Sequence, residues 1–426
     1  MAACQRSPRR DLPSKQGWTG GGVREPPGKP STIPRGKQRA RSSRLAATHS
    51  CRRPLSLPLL RWDFQGELLQ LWAGPGTMAM TPRERWMALL AGQTPDRIPT
   101  DYQATPEVTS RLLRDLGCKD EDALWLRLGI DKRKVVEPRW RRTHHPLDPE
   151  ADLWGIRYRK ADYGSGAYDE PWHHPLAQAE TVDDVHAHAW PSPDDFDYTA
   201  VTLAVEESDG YWPIHAGCFE PFLLYGYLRG LQTAFEDLVL RPELAEAILG
   251  RIFEFYYEHH RRIFEAGRGK IDLTWVAEDL GAQTGPLMSL ATYRRFLLPN
   301  QIKMAELARS FGVHVMYHTD GAARLFLPDL IDRVGIEILN PIQWRCPGME
   351  REGLVRDFGD RVIFHGSIDN QQTLAFGTVD DVVAEVRQSA AIYRHARWIC
   401  APCHNLQPIT PTENIVALYE TIHALG

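Results

Sequence analysis

Between residues 211 and 404 the chain repeats one pattern: a short apolar run, a reactive polar group directly after it, then an amphipathic stretch of helical length. Tyr211 to Ala216 leads to Cys218 and Glu220, Ile271 to Ala277 to Glu278-Asp279, and Val313 to Tyr317 to His318-Thr319-Asp320-Gly321. Ile336 to Leu339 leads to Asn340 and Gln343, Arg361 to Phe364 to His365 and Asp369, and Trp398 to Cys400 to Cys403-His404. Strands alternating with helices at this spacing require a parallel sheet with helical crossovers. About 347 residues from Met80 onward, with at least six such units, fit a (β/α)8 TIM barrel with insertions better than a doubly wound sheet. No G-x-G-x-x-G follows any of the strands, which removes the main support for a dinucleotide-binding fold.

The flanking segments read less evenly. Thr81-Pro82-Arg83-Glu84 is a capping box with proline at the first helical position, predicting a helix to about Gly92, and Pro95 to Pro99 breaks it into a short extended segment near Asp101. Residues from there to about 200 are rich in Trp, His and Pro, with a strand expected at Trp154 to Tyr158. Three helical regions are expected at about Pro221 to Ala266, Tyr293 to Phe311 and Thr378 to His395. Thr410-Pro411-Thr412-Glu413 reads as a second capping box, ahead of a stripe of Ile415, Leu418, Tyr419 and Ile422.

Charge divides the chain. Residues 1–77 carry 14 Lys+Arg against 4 Asp+Glu, leaving 36 against 51 for the remainder of the 50 and 55. The basic part is dense in Pro, Gly, Ser and Arg, a composition that cannot bury enough apolar surface to offset its ordering entropy, so a disordered tail is expected. A nucleic-acid arm, a transit segment and translated sequence ahead of the true start all fit that composition. Met78 and Met80, just before the first helix signal, favour the last. The barrel domain is placed at 80–426. Seven scattered cysteines do not make a disulfide framework and favour a reducing cytoplasm. No membrane span and no nucleic-acid partner are expected.

In a barrel the residues after successive strands converge on one mouth, where such folds place their chemistry. His318-x-Asp320 has strand spacing, so both side chains point the same way, and imidazole plus carboxylate is a plausible pair of zinc ligands. Glu278 with either Cys403 or His404 completes a four-ligand set. The plainer alternative is that His318 and Asp320 bond each other and cap the next helix. Two adjacent carboxylates after a strand cannot face the same way, so one of Glu278 and Asp279 is structural. Cys400-x-x-Cys403 lacks the second pair that a zinc ribbon needs, which leaves Cys400 as barrel wall and Cys403 near the mouth. His365 is balanced between a hydrogen-bonding and a site role.

From Met80 to Gly426 the chain resembles the uroporphyrinogen decarboxylase superfamily. The stretches that carry the likeness are Thr81 to Arg85 with Pro95 to Pro99, Tyr227-Leu228-Arg229-Gly230, Glu278-Asp279-Leu280-Gly281-x-Gln283-x-Gly285, His318-x-Asp320-Gly321, Asn340-Pro341-x-Gln343, His365 to Asp369, and Cys403-His404-Asn405-x-x-Pro408-x-Thr410-Pro411. The resemblance implies a (β/α)8 barrel, often a homodimer. For true decarboxylases it implies site roles at Tyr227, Asp369 and His404, and an arginine-rich stretch after the first strand to hold substrate carboxylates. Here that place reads Asp101-Tyr102-Gln103-Ala104-Thr105-Pro106, without arginine. The other branch contains zinc-dependent methyltransferases that move a methyl group between a corrinoid and a thiol, with H-x-C after a strand plus a last-strand cysteine on zinc. His318-x-Asp320 replaces that cysteine with aspartate, a harder donor set still compatible with zinc. The resemblance therefore implies a zinc-dependent methyltransferase-like enzyme acting on a methyl-corrinoid or small methylated substrate, served by Glu278, Asp369, His404 and Tyr227. A porphyrin-forming carboxy-lyase, and a non-catalytic barrel binding a corrinoid protein or other partner, stand as alternatives.

Overall fold

The computed structural model describes residues 79–425 apart from 163 and 165, so the expectations for the basic extension over 1–77 lie outside the described residues. Seven strands pair in chain order into one sheet: β1 (Lys134–Val135), β2 (Ile214–Phe219), β3 (Leu273–Ala277), β4 (His314–His318), β5 (Ile338–Asn340), β6 (Ile363–Ile368) and β7 (Trp398–Pro402). Every pairing in it is parallel. The segment 99–101 joins its two ends. Cys400 N donates to the Pro99 carbonyl at 2.9 Å, Asp101 N donates to the Cys400 carbonyl at 3.1 Å, and Asp131 N, just ahead of β1, donates to the Thr100 carbonyl at 3.0 Å. The sheet thereby curls into a barrel-like α/β fold, and β3, β6 and β7 are buried along their whole length, as strands covered by crossover helices must be.

One buried carboxylate fixes that closure. Asp131, 0% exposed, accepts from Arg85 Nη1 at 2.9 Å, Arg97 Nη1 at 2.7 Å and Thr100 N at 3.0 Å, while Asp96 takes the other side of Arg85 at 2.6 Å. The Arg85 and Pro95–Pro99 motifs therefore pin the first helix, Pro82–Leu90, to the closing segment. That helix opens with the expected box: Glu84 N donates to Thr81 Oγ1 at 3.2 Å and Thr81 N to Glu84 Oε2 at 2.7 Å.

Several boundaries differ from the sequence reading, each for a local reason. β2 begins at Ile214 rather than Tyr211, because Tyr211 N is taken by Asp209 Oδ1 and Pro213 has no N–H to give. The helical region after it is three helices, Pro221–Arg229, Leu231–Leu240 and Pro242–Ala266, interrupted at Gly230, with φ 85°, and at Pro242. Trp154 and Ile156 form a turn by donating to Asp152 Oδ1, so the expected strand shifts to Arg157–Asp162 and pairs with Ala167–His173 as a hairpin. The second capping box does not form. The closing helix, Thr412–His423, is preceded by Pro411 at its cap, and Thr410 N is held in a turn on the Gln407 carbonyl, one residue too early to cap. Among the described residues no helix is long and apolar enough to cross a membrane.

Candidate metal centre

His318 is the last residue of β4 and Asp320 follows it by two, so both side chains reach the carboxyl end of the sheet. The turn between them and the next helix is set by contact of two glycines. A Cβ on Gly321, which has φ +72°, would stand 2.5 Å from the Gly281 carbonyl oxygen, and one on Gly281 would stand 2.5 Å from Ala322 N. The Asp279-Leu280-Gly281 and Asp320-Gly321 loops therefore pack backbone on backbone, and Asp320 N donates to Asp279 Oδ1 at 3.1 Å. Gln343, beyond β5, completes the cradle: its Nε2 donates to Asp320 Oδ1 at 2.9 Å and its Oε1 accepts from Gly321 N at 2.8 Å.

His404, just beyond β7, closes the group. One donor atom each from His318, Asp320 and His404 lies within 4.8 Å of the others. Asp320 Oδ1 is 3.8 Å from His318 Nε2 and Asp320 Oδ2 is 3.7 Å from His404 Nε2, while Asp279 Oδ1 stands 3.8 Å from His318 Nε2. Bonds of about 2.1 Å in a tetrahedral zinc site place donors about 3.4 Å apart. The two spacings through Asp320 are a few tenths of an ångström wider and all three lie within 4.8 Å, and the donors are nitrogen and oxygen, a set that a small closure would fit to zinc. Burial pushes His404 down to about 3, which leaves its ring neutral and able to ligate at neutral pH.

Two further carboxyls stand behind the group. Burial, with Asp279 adding repulsion, raises Glu220 to about 7, against a smaller opposing pull from His318. Burial and Glu220 hold Glu278 well above the ordinary carboxylic range. Tyr227 is raised by burial, then by Glu220 and Asp279.

The residues read from the sequence separate here. His318, Asp320 and His404 come together. Glu278 turns away, its Oε2 accepting from Phe222 N at 2.6 Å at the start of the helix Pro221–Arg229, and its neighbour Asp279 faces the group instead. Cys403 is buried with its thiol donating to the Ile342 carbonyl at 3.1 Å, and burial lifts it well above the usual thiol range. Asp369 is bound by Arg345 Nε at 2.6 Å and accepts from Thr373 N at 3.2 Å, an ion pair and a turn cap together. Tyr227 is half-buried with its ring edge toward Tyr158 at 6.5 Å. A cavity of about 380 Å³ opens at the cluster, lined by Asp320, His404 and the carboxamides of Gln283, Gln343, Asn370 and Gln371.

Sequence reasoning missed Arg133, which reaches inward to Asp101, and left Gln343 without a role. Gln343 lies within the Asn340-Pro341-x-Gln343 motif. Arg133 sits in Asp131-Lys132-Arg133-Lys134, a run that reads as solvated turn and carries no signal of an interior position.

The chain is thus a barrel-like α/β fold that gathers two imidazoles and one carboxylate, a set able to hold a metal ion, at the carboxyl ends of its strands. The chain belongs to the uroporphyrinogen decarboxylase (URO-D) family, whose sequence pattern matches residues 164–425. A uroporphyrinogen decarboxylase from Syntrophotalea carbinolica is 24% identical over 238 residues, which cover 53% of this chain and 63% of that relative, under two thirds of its length. Among solved structures, a methyltransferase from Methanosarcina mazei superposes with a TM-score of 0.58 at 20% identity, over 81% of this chain and 99% of that one. A B12-independent methionine synthase from Shewanella aligns with a TM-score of 0.41 at 11% identity, over 77% of this chain and 96% of that one.

Proposed function

We propose that this chain is a zinc-dependent, methyltransferase-like (β/α)8 enzyme of the URO-D family acting on a methyl-corrinoid or a small methylated substrate. The observation that carries this reading is the convergence of His318, Asp320 and His404 within 4.8 Å at the strand ends. Bound there, zinc would supply Lewis acidity, lowering the pKa of a thiol or water that it takes up. Gln343 and Asp279 N-terminal to Gly281 hold the Asp320 loop, so the carboxylate is oriented before any ligand arrives. Glu220, near 7, can give or take a proton at neutral pH, and the raised Glu278 keeps a neutral carboxyl beside it. The carboxamide lining suits an uncharged, hydrogen-bonding substrate.

Among the described residues the cavity lining carries no arginine or lysine, and Arg345 in the adjoining pocket is spent on Asp369. Each bidentate arginine–carboxylate bond is worth about 1.5–3 kcal/mol, so a polycarboxylate would bind here weakly. A second reading, uroporphyrinogen decarboxylation, is supported by the name of the Syntrophotalea relative. A cytoplasmic homodimer that receives its substrate from a corrinoid protein, with residues 1–77 as a separable extension, belongs to the same proposal.

Elemental analysis tests it. Purified protein is expected to carry one zinc per chain, lost in His318→Ala. Metal-free protein that converts a porphyrinogen would establish the second reading, and metal-free protein inert toward both substrate classes would leave a non-catalytic binding barrel.

A further inference from the structure

A chain of buried polar groups runs from the candidate metal centre through the interior of the sheet. His318 Nδ1 is 2.7 Å from Asn340 Oδ1, Asn340 Nδ2 is 2.7 Å from His365 Nδ1, and His365 Nε2 is 3.1 Å from Asp101 Oδ2. Each of these four residues is at least nine-tenths buried. At the far end Arg133 donates to Asp101 through Nε at 3.0 Å and lies 2.8 Å from it through Nη2.

The direction of every bond follows from that end. Burial opposes charge on Asp101, but Arg133 and Lys132 outweigh it and hold the carboxyl well below the usual range, so Asp101 only accepts. His365 must then donate from Nε2. Burial pushes His365 below its ordinary value, so the ring is neutral with a single proton, and Nδ1 is left as an acceptor. The only group Asn340 can offer it is its amide N–H, which turns the carbonyl oxygen of that side chain toward His318. His318 must therefore donate from Nδ1. A reversed Asn340 would set the lone pair of His365 Nε2 against a carboxylate, an arrangement that a buried site cannot tolerate.

We propose that Asn340, His365 and Asp101 are positioning residues which make His318 Nδ1 a hydrogen-bond donor, so that Nε2 is the ring nitrogen turned toward Asp279 and Asp320. The inference rests on the metal-site reading for its purpose and, for its content, on hydrogen-bond geometry together with the ionised Asp101 and neutral His365. The same logic applies on the other side of Arg133. Its Nη1 lies 3.1 Å from His215 Nδ1, which can only accept, so His215 donates from Nε2 to the Gly217 carbonyl at 3.1 Å. Asp101 and Arg133 thus orient rings on β2, β4 and β6 at once.

The test uses metal-free, histidine-15N-labelled full-length protein and long-range proton–nitrogen correlation spectra of the rings, assigned by single His→Gln variants. The expected spectrum shows His318 protonated at Nδ1, and His365 protonated at Nε2 with Nδ1 bare. A His318 ring bare at Nδ1, or one exchanging between tautomers, overturns the proposal. Asn340→Leu should release the ring into mixed tautomers and lower zinc affinity about 10–100-fold in chelator competition. A folded Asn340→Leu protein with wild-type ring spectrum overturns the proposal. Asn340→Asp keeps an acceptor for His318 and should preserve its tautomer while His365 gains a second proton; this variant decides the matter if the leucine variant does not fold. Ring spectra as expected in a protein that takes up no zinc would uphold the positioning chain and refute the metal reading, so the two fail separately.

Discussion

Gly321→Ala should damage the candidate metal centre without touching a proposed ligand. Gly321 has φ +72°, and an added Cβ would stand 2.5 Å from the Gly281 carbonyl carbon and oxygen, about 0.9 Å short of the 3.4 Å at which ordinary contact begins. The left-handed backbone costs a non-glycine residue about 1–2 kcal/mol. Forcing the two loops apart adds about 1–3 kcal/mol, as overpacking of a tight interior does. Gly312→Ala separates the two contributions. Gly312 has φ +74° and nothing within 4 Å of its Cβ position, so that substitution carries the backbone cost alone. Urea denaturation should find Gly312→Ala destabilised by about 1–2 kcal/mol and Gly321→Ala by about 2–5 kcal/mol. A displacement approaching an ångström also moves Asp320 against His318 and His404, now 3.8 and 3.7 Å away, so zinc retention after dialysis should fall in Gly321→Ala only. Equal destabilisation of the two variants, with zinc retained in both, would refute the argument that loop contact holds the site.

Asp279→Asn should weaken zinc binding measurably in chelator competition while Glu278→Gln leaves it intact, since only Asp279 faces His318; the opposite ranking would reassign the ligand side. Asp131→Ala leaves Arg85 and Arg97 facing a buried void and should cost about 3–5 kcal/mol in urea denaturation, as loss of one partner of a buried ion pair does. Asp152, which is not among the candidate metal ligands, supplies a pH test. Burial raises it from 3.8 to about 6, so between those values the folded chain binds a proton that the unfolded chain has released. Its contribution is complete below pH 3.8 and is lost as pH rises through about 6. The stability difference between wild type and Asp152→Asn should shift against wild type across that window, and a difference independent of pH would show that Asp152 titrates normally.

The architecture was legible because it depends on local pattern. Apolar runs followed by helical stretches need only their own residues to declare themselves, and the repeat predicts a curled parallel sheet with its reactive residues at one end. Boundaries slipped where a side chain competed for the backbone, as Asp209 does for Tyr211 N and Asp152 for Trp154 N. Thr410 misled for the same reason: a capping box is a spacing in sequence but a position in space, and the turn on Gln407 puts Thr410 in the wrong place.

What the sequence determined by itself was the set of candidates: His318 and Asp320 on one strand end, an acidic pair on another, Cys403 and His404 on the last. Strand alternation states that one member of each neighbouring pair is structural, but it cannot say which. Only the tertiary structure decided that Asp279 rather than Glu278 faces the group and that His404 rather than Cys403 reaches it. Those choices depend on what each side chain meets across the barrel, the Phe222 amide for Glu278 and the Ile342 carbonyl for Cys403. The chain from Asp101 to His318 spans more than two hundred residues and is built of hydrogen bonds between strands, so it exists only once the sheet has closed.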